Sequence, residues 1–218
     1  MFRSRCLLAA VSLAAVTACG DKAEFGVILA PVAATTVRFI NATNLSLSIS
    51  NGGVVVSPTS GAGFGFTSTC LTLNAANALA FTNVGTGASL AFNNAFTGGG
   101  SFTVIAFTDA TGAVKFAVLN NNATPGSGQS AVRVFNAASG QALLNFANNG
   151  TTIGSGIAFG TASDFVNISS GSGDITFLGN TGSLILDAGS MNLSSGTSTT
   201  IVIAPTASGL RAISVAGC

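Results

Sequence analysis

The sequence contains no histidine, no tryptophan and no tyrosine, and only 6% of its residues are charged. Each absence removes a class of function. Without histidine, neither a Ser-His-Asp nor a Cys-His nucleophile can be assembled. A zinc site loses its usual nitrogen ligand as well, and the cysteines show no Cys-x-x-Cys spacing. No metal and no cofactor are expected. Without tryptophan and tyrosine, a transmembrane β-barrel would lack its aromatic girdles, and sugars would lack their usual stacking platforms. A nucleic-acid binder needs a basic patch, whereas seven Lys and Arg are here balanced by six Asp and Glu. No nucleic-acid partner is expected. Segments rich in Lys, Arg, Glu and Leu, which build surface helices, are absent too.

What remains is apolar and small. Hydrophobic residues make up 48% of the chain, enough to build a core, and all 16 aromatic residues are phenylalanine. At inward strand positions phenylalanine is packing material. The surface is solubilised by Ser, Thr and Asn in place of charge, a composition that fits exported β-proteins better than cytosolic enzymes.

The N-terminus supports export. Arg3 and Arg5 form a positive n-region, and Cys6 to Ala15 an apolar stretch. About ten residues are too few to span a bilayer, which needs roughly 20, but they suit a signal peptide. Val16-Thr17-Ala18-Cys19 resembles the bacterial lipobox, in which the cysteine sulfur is acylated and the cysteine becomes the new N-terminus. The resemblance implies a lipoprotein carrying palmitate-type chains on Cys19, and two or more chains give stable anchoring. Gly20 follows Cys19, where lipoproteins retained at the inner membrane carry Asp; this implies the outer membrane of a Gram-negative envelope. Loss of Arg3 and Arg5 leaves five basic against six acidic residues, so the mature chain is near neutral.

Four cysteines are present: Cys6, Cys19, Cys70 and Cys218. Cys6 leaves with the signal peptide and Cys19 carries lipid. Cys70 and Cys218 remain, and an even remainder in an oxidising compartment suggests one disulfide. The alternative is a buried thiol at Cys70 and a frayed end at Cys218.

A tandem repeat organises the rest. "VRFINAT" at 37–43 returns as "VRVFNAA" at 132–138, and "LSISNGG" at 47–53 as "LNFANNG" at 144–150. "GFTST" at 65–69 answers "GTASD" at 160–164, and "SFTVIAFTDATGAVK" at 101–115 answers "TTIVIAPTASGLR" at 199–211. The predicted organisation is a signal peptide over 1–18, a lipidated cysteine and tether over 19–34, and β-sandwich units over 35–119 and 131–218. Between the units, 120–130 reads as a linker, since "NNNATPGSGQ" carries no apolar periodicity. Leu45 to Ser50 alternate strictly between apolar and polar, which puts one strand face in a core and one in water. Gly-rich turns such as "NGG", "NNG" and "NTG" separate short strands about every ten residues, the pattern of an all-β sandwich. Alternation slips between Leu210 and Ile213 relative to Val114 to Phe116, predicting a bulge there.

"VRVFNAASG", the "NNG" hairpin, "IAFGTASDFVNISSG" and the final "TTIVIAP" strand resemble the domain-of-unknown-function 4397 family. The resemblance is extensive in the second unit and limited in the first to "VRFINAT" and the last strands. It implies two tandem immunoglobulin-like sandwiches in an exported lipoprotein, and it brings no activity. "NAASGQALLNF" departs from the family pattern by lacking a Pro and an Asp-x-Tyr.

Candidate chemistry in the body is sparse. Asp109, Asp164, Asp174 and Asp187 are its acids; most precede or occupy turns, where Asp is a routine former, so no glycosidase pair is expected. "TGGGS" and "SGSGD" lack the Lys-Ser/Thr of a phosphate loop. Arg38 and Arg133 hold equivalent places in the repeat and are predicted on an exposed strand face, each near an Asp. The expectation is a non-enzymatic, lipid-anchored envelope protein acting as a structural or interaction module. Its alternative is an adhesin-like binder of a glycan or protein.

Overall fold

The computed structural model describes residues 34–73, 79–93, 96 and 99–218. The signal peptide, Cys19 and the tether up to 33 lie outside them. The described residues are all-β, with sixteen strands in four four-stranded sheets.

The first sandwich opposes two sheets. One is ordered β4-β1-β7-β8, from β1 (Thr35–Asn41), β4 (Leu71–Leu73), β7 (Ser101–Thr108) and β8 (Val114–Asn120). The other is ordered β3-β2-β5-β6, from β2 (Leu47–Asn51), β3 (Val54–Val55), β5 (Leu79–Asn83) and β6 (Ser89–Leu90). The second sandwich repeats this order eight strands later. Its sheet β12-β9-β15-β16 is built from β9 (Gln129–Asn136), β12 (Val166–Ser169), β15 (Ser198–Thr206) and β16 (Gly209–Ala216). Its sheet β11-β10-β13-β14 is built from β10 (Leu143–Asn148), β11 (Thr151–Ala158), β13 (Gly171–Gly179) and β14 (Leu184–Leu193). In each sandwich the first strand runs parallel to the seventh: Val37 pairs with Phe102, and Val132 with Thr199.

Strand periodicity explains three cores. Successive side chains alternate between faces. Val37 and Phe39 of β1 point into the first sandwich with Leu47, Ile49, Phe81 and Val104. Val132 and Val134 of β9 point into the second with Leu144, Phe146, Phe177 and Ile201. Intervening positions such as Ile40 and Phe135 are buried as well. Ile40, Ile105 and Phe107 from the first sandwich pack against Phe135, Val202, Ala204, Ile213 and Val215 from the second. A shared apolar layer thus joins the two sandwiches back to back, and they do not swing as independent beads.

Two strand pairs carry irregularities, both away from the position the sequence suggests. β15 and β16 pair without a slip from Thr199↔Ala216 to Thr206↔Gly209. The register shifts fall in β10/β11, around Phe146, and in β13/β14, after Asp174. At the first, a Cβ on Gly154 would collide with the Phe146 ring, so glycine makes room for the aromatic. The turn between β10 and β11 places Asn149 and Gly150 at φ 49° and 75°, the paired positive values a two-residue hairpin needs.

A buried asparagine closes each first strand. Asn136 is inaccessible; its Nδ2 donates to the carbonyls of Gln141 (2.9 Å) and Ile157 (3.2 Å), and its Oδ1 accepts from the Ala138 N–H (3.0 Å). Asn41 does the same work in the first sandwich, donating to Leu45 and Ala62. Asn136→Ala leaves buried backbone groups unpaired and is expected to cost about 2–3 kcal/mol. The urea midpoint should fall at unchanged slope; an unmoved midpoint would refute the role.

Candidate functional site

Arg38 and Arg133 lie where the sandwiches meet, not on the free strand face that the sequence suggests. Arg133 is 5% exposed. Its Nε donates to Thr200 Oγ1 (2.9 Å), Nη1 to the Asn120 carbonyl (2.6 Å) and Nη2 to Asn121 Oδ1 (2.7 Å). The guanidinium carbon sits 4.4 Å from the centroid of the Phe165 ring, a cation–π contact. None of these partners is an aspartate. Burial pulls Arg133 down to about 10, which leaves it charged at neutral pH. Arg38 is half-buried; its Nη1 donates to the Ala216 carbonyl (2.8 Å) and its Nη2 to Cys70 Sγ (3.0 Å).

These two contacts are one contact repeated. Strand register makes Phe102 equivalent to Thr199, as the partners of Val37 and Val132. Phe102 pairs with Asn120, and Thr199 with Ala216. Each arginine therefore binds the carbonyl that ends the other sandwich's last strand. The hydrogen bonds just beyond also match: Asn121 N to Ser101 O and Gly217 N to Ser198 O, both 2.8 Å. The sandwiches are related by a pseudo-two-fold axis, like an isologous dimer held in one chain.

An open cleft of about 510 Å³ lies on this axis, lined by Ser101, Asn121, Asn122 and Thr124 from one side and Thr197, Ser198, Gly217 and Cys218 from the other. No lining side chain is charged. Asn121 is the fixed element. Its Oδ1 accepts from Arg133 Nη2 (2.7 Å) and from Thr103 Oγ1 (2.9 Å), so Nδ2 is directed to Ser101 Oγ (3.1 Å). A flipped amide would set its NH2 against the guanidinium. The stretch that reads as a linker is therefore partly structural: Asn120 ends β8, Gln129 opens β9, and Asn121 is 7% exposed.

Cys70 and Cys218 form a disulfide, with Cα atoms 5.7 Å apart. The cysteine count anticipates this pairing, and the free-thiol alternative is not what the structure holds. Cys70 sits one position beyond the Val37↔Leu71 pair, across from Arg38. Phe165 sits one position beyond Val166↔Val132, across from Arg133. The equivalent places thus carry a covalent tie on one side of the axis and an aromatic face on the other.

The acids stay apart from this cleft's lining. Asp109 is a turn former: its Oδ1 accepts from the Thr111 N–H and hydroxyl and from the Ala113 N–H. The Thr111 hydroxyl is the leading influence holding its carboxyl below the usual value. Lys115 lies 3.7 Å away. Asp187 accepts from the Gly189 N–H, and Asp174 is exposed in β13. Asp164 borders a separate recess of about 340 Å³ with Thr161 and Ser163. Cys19, the predicted lipidation site, lies outside the described residues. Sequence reasoning missed Thr103, Thr200 and Asn121. A usable signal was present: threonine stands at the same repeat position, 103 and 200, directly before an apolar run in both sandwiches.

The comparison with curated proteins found no match. Among solved structures, CBMbc, a family CBM26 module of Eubacterium rectale Amy13K solved in complex with maltoheptaose, is similar at 16% identity, covering 82% of this chain and 95% of that one, with a TM-score of 0.28. So low a score carries no argument about ligands. The family model described as "Domain of unknown function (DUF4397)" matches residues 130–216, the span of β9 to β16. The match to this family thus falls on the second sandwich of the chain.

Proposed function

We propose that this protein is a non-enzymatic interaction module of the bacterial cell envelope, held at the outer membrane by lipid on Cys19, with the axial cleft as its binding surface. The first sandwich serves as a diverged second copy of the DUF4397 domain. One observation supports the reading above the others: the two sandwiches are locked by a shared core, so the cleft presents a fixed set of hydrogen-bonding groups. Preorganised polar groups lose little freedom on binding. The lining of hydroxyls and amides, without charged side chains, favours a neutral hydroxyl-bearing ligand. It therefore supports the adhesin-like variant in which the occupant is a glycan.

One substitution tests both halves of this proposal. Cys19→Ser should abolish lipid labelling and release the exported protein from membranes. A variant that still partitions with detergent would overturn the anchor. The soluble product, titrated with neutral oligosaccharides, should show amide shifts confined to Asn121–Thr124 and Thr197–Ser198. Shifts elsewhere, or none with any saccharide, would overturn the cleft as a glycan site.

A further inference from the structure

The environment of the disulfide is asymmetric. Arg38 Nη2 touches Cys70 Sγ at 3.0 Å. The remaining partner of this guanidinium is the Ala216 carbonyl, and its Nε is buried without an acceptor. The ion pair found among the described residues, Lys115 with Asp109, does not involve it. A positive charge thus lies against one sulfur of the bridge, with no Asp or Glu side chain paired to it among the described residues. Both Cys70 and Cys218 are exposed, so the bridge is open to reagents in solution. Cys218 is joined to the wall of the cleft.

We infer that the Cys70–Cys218 bridge is a site of thiol–disulfide exchange with an external protein dithiol, entered at Cys218 with Cys70 as the leaving sulfur. The attacking thiolate forms a bond to Cys218 Sγ. The Cys70–Cys218 bond breaks, and its electron pair departs on Cys70 Sγ as a thiolate facing Arg38. The second thiol of the donor then attacks the mixed disulfide as a thiolate. It releases Cys218, which takes up a proton, and the donor leaves oxidised as its own disulfide. The protein gains two electrons and the dithiol loses two. Exchange is fastest when the departing sulfur carries its negative charge well, and a neighbouring guanidinium supplies that stabilisation. At Cys218 no arginine contact offers the same.

Opening the bridge would free the cleft wall at Cys218 without separating the sandwiches. The shared core remains, as do the Arg38–Ala216 and Gly217–Ser198 hydrogen bonds. The redox state would then set access to the cleft. The inference stands independently of what the cleft binds.

The probe is 2-mercaptoethanol, which is uncharged, so that Arg38 acts on the leaving sulfur and not on the encounter. It is added to the full exported chain carrying Cys19→Ser, and the reaction is quenched by alkylation and mapped by mass spectrometry. The mixed disulfide is expected on Cys218, with Cys70 alkylated. Arg38→Gln should slow opening about tenfold, and Arg38→Lys should restore most of the rate. Raising ionic strength should slow the parent protein and leave Arg38→Gln unchanged, a comparison that needs no second fold-sensitive variant. Adduct on Cys70, or equal rates with and without the guanidinium, would overturn the inference.

Discussion

Phe135→Ala is expected to lower the melting temperature by about 10 °C and to do so for both sandwiches at once. Phe135 is inaccessible and belongs to the layer between the sandwiches, where its ring meets Phe107 edge-on at a centroid distance of 5.2 Å. Truncating a buried phenylalanine typically costs 3–5 kcal/mol through lost transfer energy and the cavity left behind. For a domain of this size each kcal/mol shifts the midpoint by about 2–4 °C. The residue lies in β9, yet the layer it fills includes Ile105 and Phe107 of β7. Hydrogen exchange should therefore report matched loss of protection at Val104 in the first sandwich and Ile201 in the second. Loss confined to the second sandwich would show that the shared layer does not couple them.

Arg133→Ala should be nearly as damaging, at about 3–4 kcal/mol. The change removes a charge-assisted bond to each of three acceptors and leaves Asn121 Oδ1 buried without it; bonds to charged groups are worth about 1.5–3 kcal/mol each but do not add fully. Arg133→Lys keeps the charge but loses the planar fork and the stack on Phe165, and should recover less than half. The pH dependence is a second test. The folded-state value, about 10, lies below the ordinary arginine value, so the folded protein loses this proton before the unfolded chain does. The cost of holding the charge in a buried place is constant below about pH 9 and is relieved only as pH rises through 10. The stability difference between parent and Arg133→Ala should then be flat from pH 5 to 9, as urea titrations would measure. Extended below pH 5, a slope in the same difference would reveal a carboxylate partner.

How much of this was legible in the sequence depends on what lies outside each strand. β2 alternates cleanly because one face of its sheet is less buried, and Leu45 to Ser50 reads accordingly. β9 is buried on both faces, so "AVRVFNAA" reads as a nearly continuous apolar run and its arginine is taken for a solvent marker. The second face is a core supplied by residues some 28 to 95 positions away, such as Phe107 and Ile40 against Phe135, which no local period reveals. Asn121 escaped for a related reason. Three successive asparagines look like linker, and the middle one is ordered by a guanidinium twelve residues on. The disulfide was legible because so few cysteines leave so few pairings. The register shifts were not: with 28 glycines in the chain, Gly154 does not stand out as the one making room for a ring.

The pseudo-two-fold contact has a consequence for how this chain can change. In a true homodimer built on the same face, every substitution near the axis would appear twice, and a gain on one side would be bound to whatever it did on the other. Joining both sandwiches in one polypeptide removes that constraint. Cys70 and Phe165, Asn122 and Cys218, Asn121 and Gly217 are pairs of equivalent places that now hold different residues. One flank of the axis carries a covalent bond beside its arginine and the other an aromatic face, an arrangement that two identical subunits could not adopt.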